Sequence, residues 1–208
     1  EQYMIMAAGV VGDPTTPFNL FVNPMARRVA ADPGLVDFNV FHGSPDAPGV
    51  DVRARAVGNL VEDLAFSEYS DYLSVPGDIY YVDVLPAGTE DIVETYLVNL
   101  VGAEGAAFTV MASGFLADDP AFGLYAVFAS GAVIPLPTIR VARAQIIHNS
   151  PEPTVDIYIN DQPALDDFTF RSATPYLFLP ADETISIAVA PDTSTSSAFW
   201  RSSRSSGC

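Results

Sequence analysis

The sequence predicts an all-β fold built from two β-sandwich domain equivalents, one continuous and one split between the two ends of the chain. Three observations predict it. Apolar residues alternate with a period of two, and no long stretch of 3.6-residue period competes with that pattern. Pro, Gly, Asn and Asp interrupt the alternation about every ten residues, the spacing of short strands joined by turns. One block also occurs twice. His42, Ser44, Pro45, Asp46, Pro48, Val50 and Asp51 are matched by His148, Ser150, Pro151, Glu152, Pro153, Val155 and Asp156.

Taken in order, strands are expected at 3–8, 18–22, 37–42, 50–55, 79–85, 92–98, 107–113, 122–128, 144–148, 155–160 and 184–190. In the fifth, Tyr80, Val82 and Val84 share one face and Tyr81 and Asp83 the other. In the last, Ile185, Ile187 and Val189 hold the equivalent positions against Ser186 and Ala188. Such segments read as half-buried strands. Residues 120–139 carry no charge over 20 positions, a length that would span a membrane as a helix. Pro135, Pro137 and the Ser130-Gly131 pair interrupt the run, so it divides into two strand-length pieces about a turn and no membrane span is expected.

The repeat extends beyond the shared block. Tyr72, Leu73 and Pro76 recur as Tyr176, Leu177 and Pro180, and Pro86 recurs as Pro191. Residues 3–9 match 108–114, and 17–22 resemble 121–127. The phase follows. Residues 36–140 form a complete repeat, 1–35 correspond to its last third, and 141–208 to its first two thirds followed by a polar tail.

Length suits two domains of about 100 residues, each able to bury its own core. Twenty-six acidic residues against nine basic ones, all Arg, give a net charge of −17, a field that repels nucleic acid. Charged residues are nevertheless only 17% of the chain. A surface so poor in charge suits one covered by a neighbour. The single cysteine, Cys208, cannot close a disulfide within the chain and ends a Ser/Gly/Arg-rich segment read as a fraying tail. The chain opens on Glu1 with neither an initiator Met nor a signal-peptide pattern, as a mature or excised product would.

The segments "HGSPDAPGVDV" and "HNSPEPTVDIYI", followed by "DYLSVPG" and "PYLFLPA", resemble a domain family of unknown function. Its members are secreted and cell-surface prokaryotic proteins, often tandem, that carry His-x-Ser-Pro-Asp-Ala-Pro-x-Val-Asp-Val. The resemblance implies an Ig-like or transthyretin-like β-sandwich located outside the cytoplasm or on the cell surface, without established catalytic residues. The second copy departs from the pattern by shortening Asp-Ala-Pro to Glu152-Pro153.

His42 and His148 are the only histidines and stand at equivalent strand ends. A nucleophilic reading would use Ser44, His42 and Asp51, but no nucleophile elbow or oxyanion Gly cluster accompanies them. A ring that ties down the following Pro-rich loop is the preferred role, and no enzyme is expected. Asp46 with Asp51, Glu152 with Asp156, and Asp118 with Asp119 offer hard oxygen ligands to Ca2+, the one cofactor considered. None sits in an alternating Asp/Asn loop with a central Gly, so turns that hold backbone N–H groups are preferred.

The end fragments are complementary. Alone, each would leave strand edges unpaired and half a core exposed. The leading expectation is a structural subunit of an extracellular filament, a homopolymer built head to tail by strand complementation. The polymerisation strands would present Tyr3, Ile5, Phe18 and Leu20 at one end and Ile185, Ile187 and Val189 at the other. The alternative is a monomeric surface module for glycan or Ca2+, closed within one chain. A segment of a longer array would show the same phase.

Overall fold

A computed structural model describes residues 2–181 and 183–191, together with the backbone of 200–203. It contains seventeen strands and no helix among the described residues. Two units divide the chain, residues 1–138 and 139–208.

The first unit opens with β1 (Met4–Ala8) and β2 (Asn19–Asn23), which pair antiparallel in a hairpin. There follow β3 (Val36–His42), β4 (Val50–Ala54), β5 (Gly58–Leu64), β6 (Leu73–Val75), β7 (Ile79–Pro86), β8 (Glu94–Asn99), β9 (Ala107–Ser113), β10 (Gly123–Phe128) and β11 (Val133–Pro135). One sheet runs β11-β10-β9-β3-β6 and the other β5-β4-β7-β8. Their facing residues build one core, with Val36, Phe38 and Val40 of β3, Val52 of β4, Val82 and Val84 of β7, and Phe108 and Val110 of β9 all buried. The alternation makes this sandwich: each strand turns every second side chain inward, and burying one such side chain contributes about 1.5–3 kcal/mol. β3 runs parallel to β9 along six positions, from Asp37 opposite Ala107 to His42 opposite Ala112, while β6 covers only Val36 to Phe38 on its other edge.

The second unit holds β12 (Val141–Ala144), β13 (Val155–Ile159), β14 (Gln162–Phe168), β15 (Leu177–Pro180), β16 (Ser186–Pro191) and β17 (Trp200–Ser203). Its four-stranded sheet runs β14-β13-β16-β17, and β12 pairs with β15 alone among the described residues. Among the described residues its core cluster comprises buried Val155, Ile157 and Phe168, with Ile146, Leu165, Ile187 and Val189 packed partly against them.

The run 120–139 does divide into β10 and β11 about Gly131, which takes φ +88°. Two expectations are corrected. The strand expected at 144–148 is instead Val141–Ala144. The equivalent stretch of β3 is held in strand geometry to His42 by β9, and β12 has no such partner among the described residues. The tail read as fraying contributes β17, whose backbone pairs with β16. Residues 192–199 and 204–208, Cys208 among them, lie outside the described residues.

Candidate functional site

The first signature loop is a hydrogen-bonded knot around a buried imidazole. His42 Nε2 donates to the Pro48 carbonyl at 2.9 Å, and Nδ1 accepts the Ser44 N–H at 3.4 Å. This pairing specifies the neutral tautomer with its proton on Nε2. Burial of the ring pushes its pKa below the ordinary value and outweighs the opposing bond to Pro48. Ser44 Oγ donates to the Gly114 carbonyl at 2.7 Å and lies 3.3 Å from Asp46 Oδ1, a second and longer contact. The Asp46 carboxylate accepts the N–H groups of Leu116 at 2.9 Å and Ala117 at 3.0 Å. Burial would raise its pKa, but those backbone donors, with Ser44, bring it below the usual carboxylate value. Asp51 lies one strand away and accepts the N–H of Asp63 and of Gly88. Ser44 and Asp46 thus clamp the loop after β3 to the turn after β9, His42 braces that loop from within, and Asp51 ties β4 to β5 and to the turn after β7.

The second loop repeats only half of this. His148 Nε2 meets the Pro153 carbonyl at 3.0 Å, and Nδ1 accepts the Ser150 N–H at 3.2 Å. Asp156 accepts the Asp167 N–H at 3.1 Å, as Asp51 does that of Asp63, and both β4 and β13 carry register shifts at matching positions. Ser150 Oγ, however, donates within its own loop to the Glu152 carbonyl at 2.8 Å, and the Glu152 side chain is exposed. The partners that Ser44 and Asp46 find beyond β9 have no counterpart here among the described residues.

Of the carboxylates considered for Ca2+, Asp118 and Asp119 are exposed, and Asp46 and Asp51 hold backbone N–H groups. The one gathering of three acidic ligands among the described residues joins Asp156 to Asp166 and Asp167, with oxygens within 4.8 Å of one another. A hydrogen bond to Asp156 and the repulsion of both neighbours raise the pKa of Asp166. Sequence spacing offered no sign of this cluster, because the bulge in β14 is what turns Asp166 and Asp167 toward Asp156.

The β1–β2 hairpin has the geometry of β9–β10. Ala7 opposes Leu20 as Ala112 opposes Leu124, and Ile5 opposes Val22 as Val110 opposes Ala126. The turns agree as well. Gly9 and Gly114 take φ +92° and +87°, and Val10 and Phe115 each donate their N–H across the turn at 2.8 Å, to Thr16 and Pro120. A Cβ at either glycine would lie 2.4 or 2.3 Å from a backbone oxygen, which explains the glycine at both places.

The burial is opposite. Val110, Leu124 and Ala126 are 8%, 5% and 4% exposed, whereas Ile5, Leu20 and Val22 are 61%, 58% and 52% exposed. Tyr3 and Phe18 are exposed on the same hairpin. Its other face is held down. The Phe21 ring lies 6.0 Å from Phe41 and 6.3 Å from Phe66, and the Tyr69 hydroxyl donates to the Phe21 carbonyl. Beyond β2, Arg27 pairs with buried Asp37 at 2.6 Å and stacks over Tyr72, while Ala31 N–H and Ser74 Oγ also bond to Asp37. Burial raises the Asp37 pKa, but the bonds from Ser74, Ala31 and Arg27 more than reverse it.

In the second unit an open groove of about 370 Å3 is lined by Ile146, His148, Val155, Ile157, Phe168 and Val189. In the first unit the matching region is the packed core, with an internal void of about 50 Å3. Ile187 and Val189 lie in β16, hydrogen-bonded on both sides by β13 and β17 and so not at an edge; Val189 lines the groove, Ile187 packs against the core cluster, and Ile185 just precedes that strand. β12 pairs on one side only, with β15, and its other edge is open among the described residues.

Sheets of this order, closed by loops around a buried histidine, define a protein of β-sandwich domains. The chain belongs to the domain family of unknown function DUF4397, whose model matches residues 36–132 and 142–202. No curated protein matches the chain.

Proposed function

We propose that this chain is the structural subunit of an extracellular or cell-surface filament that grows head to tail by β-strand complementation. The β1–β2 hairpin of one copy takes, in the second unit of the next, the place that β9 and β10 hold in the first. The second unit is then the beginning of a tandem repeat whose end lies at residues 1–35. The observation that carries this reading is the inverted burial of matched residues: Ile5, Leu20 and Val22 occupy core positions yet lie in solvent. The open groove and bare edge of the second unit are the complementary half.

Strand addition supplies both things an incomplete sandwich lacks. Backbone N–H and C=O groups along β12 gain ladder partners, and apolar side chains fill the groove. Donor and acceptor are different surfaces of one chain, so the contact is heterologous and propagates as an open helical filament. Among the described residues β1 pairs with β2, and isolated bridges join Gln2 to Met25 and Val10 to Pro17. The hairpin is thus formed on the first unit before any docking.

Negative-stain microscopy and sedimentation of the purified protein test the proposal. Deleting residues 1–24, which leaves Arg27 on Asp37, is expected to give monomers or short species. Filaments of undiminished length from that deletion would overturn it. So would a full-length protein that keeps its monomer mass from nanomolar to high micromolar concentration, the behaviour of a closed monomeric binding module. Recovery from the culture medium or cell surface rather than the cytosol tests the location.

A further inference from the structure

We infer that the loop 149–152 of the second unit is a binding site for the turn 9–12 of a neighbouring copy, and that this contact fixes the register of the docked strand. The inference rests on the head-to-tail reading and specifies which groups recognise each other. In the first unit Ser44 Oγ holds the Gly114 carbonyl, the Asp46 carboxylate holds the N–H groups of Leu116 and Ala117, and the Gly43 N–H donates to Ala112. The residues at the same places in the second loop are Ser150, Glu152 and Asn149, and in the hairpin they are Gly9, Val11, Gly12 and Ala7.

Each side of this contact is built and lacks its counterpart. Ser150 Oγ turns inward to its own loop, and the Glu152 carboxylate is exposed. On the donor, Val11 is 84% exposed and nothing lies within 4 Å of the position a Cβ would take on Gly12. The loop lengths compensate. The acceptor loop from His148 to Pro153 is one residue shorter than that from His42 to Pro48, and it carries Glu, one methylene longer, where the first loop has Asp. A carboxylate accepting two backbone N–H groups makes charge-assisted bonds that fix position as well as add affinity.

The register follows residue by residue. Parallel pairing of β3 with β9 sets Val40 opposite Val110 and Phe41 opposite Met111. The docked β1 therefore runs parallel to β12 and to the segment that follows it, with Ile5 opposite Ile146 and Met6 opposite Ile147. Antiparallel docking about the same centre would bring Met4, not Met6, opposite Ile147.

Oxidative cross-linking of the full chain in a Cys208→Ser background reads this directly. Ile147→Cys with Met6→Cys is expected to give a ladder of covalent oligomers, and Ile147→Cys with Met4→Cys is not. Met4 and Met6 are both half-buried on the same face of the hairpin, so the two pairs are equally shielded. Glu152→Ala is expected to raise the critical concentration roughly tenfold, and Glu152→Gln less. A ladder from the Met4 pair, or an unchanged critical concentration for Glu152→Ala, overturns the latch and leaves the filament standing. Absence of both ladders and of filaments in the parent chain overturns the two together.

Discussion

Two charges placed on the exposed face of the hairpin give the sharpest test of assembly. Docking takes Ile5, Leu20 and Val22 from more than half exposed to the burial of Val110, Leu124 and Ala126. Half of the about 1.5–3 kcal/mol for fully burying such a side chain leaves about 1 kcal/mol each. Three residues give about 3 kcal/mol, a factor of about 100 in affinity. Ile5→Asp with Leu20→Asp forfeits two of these contributions and places two unpaired carboxylates in an apolar groove, which costs several kcal/mol more. The critical concentration is expected to rise more than about 1000-fold, beyond reach at micromolar protein. The subunit should stay folded, because both positions face water on the free chain. Val110→Asp is the control: at the same place in the complete domain the charge enters a closed core, and the thermal transition should collapse instead. Light scattering and negative-stain imaging report assembly, and far-UV circular dichroism reports the fold. Filaments of normal length at normal critical concentration from the folded double variant would refute the reasoning.

Further outcomes are expected of single changes. Asp37→Ala strips Arg27, Ser74 and the Ala31 N–H of their common acceptor and should cost about 2–3 kcal/mol by denaturant unfolding. Because Asp37 titrates below its ordinary value of 3.8 in the folded chain, its contribution is present above that pH and is lost as pH falls through the folded value. His42 is held neutral by burial, so stability should be full above its ordinary value of 6.5 and decline as pH falls below it. Melting temperatures from pH 7.5 to 5.5 should show a steeper decline for the parent than for His42→Gln, and parallel curves would reject this. Gly114→Ala forces a side chain into positive φ and against the Ala121 carbonyl, and it should cost more than about 1–3 kcal/mol of the first unit's stability. Gly9→Ala should spare that stability and weaken assembly.

Much of the fold is legible because a strand writes its period into the sequence. The 79–85 and 107–113 alternations appear as β7 and β9, with Val82, Val84, Phe108 and Val110 in one core. Less was legible where pairing, not composition, makes the strand. β5 and β14 carry charged, bulged sequences such as "GNLVEDL" that become strands only because β4 and β13 offer a ladder. The polar segment of β17 is recruited by β16 in the same way. Residues 145–148 show the converse, an apolar pattern that is not strand where the neighbour is missing. Of the candidate residues, His42, Ser44 and Asp46 were recognisable from the repeat. The groups that Ser44 and Asp46 bind, the Gly114 carbonyl and the N–H groups of Leu116 and Ala117, lie some 70 positions away, and no local pattern connects them.

By itself the sequence determined the all-β class and displayed the repeated block, since alternation and repetition are properties of the chain read in one dimension. Only the tertiary structure decided which copies of a repeated position are buried. Ile5 and Val110 are interchangeable as letters, and one faces water while the other fills a core. Burial is set by the partners a strand finds across space. β9 lies between β3 and β10, whereas β1 pairs only with β2 among the described residues.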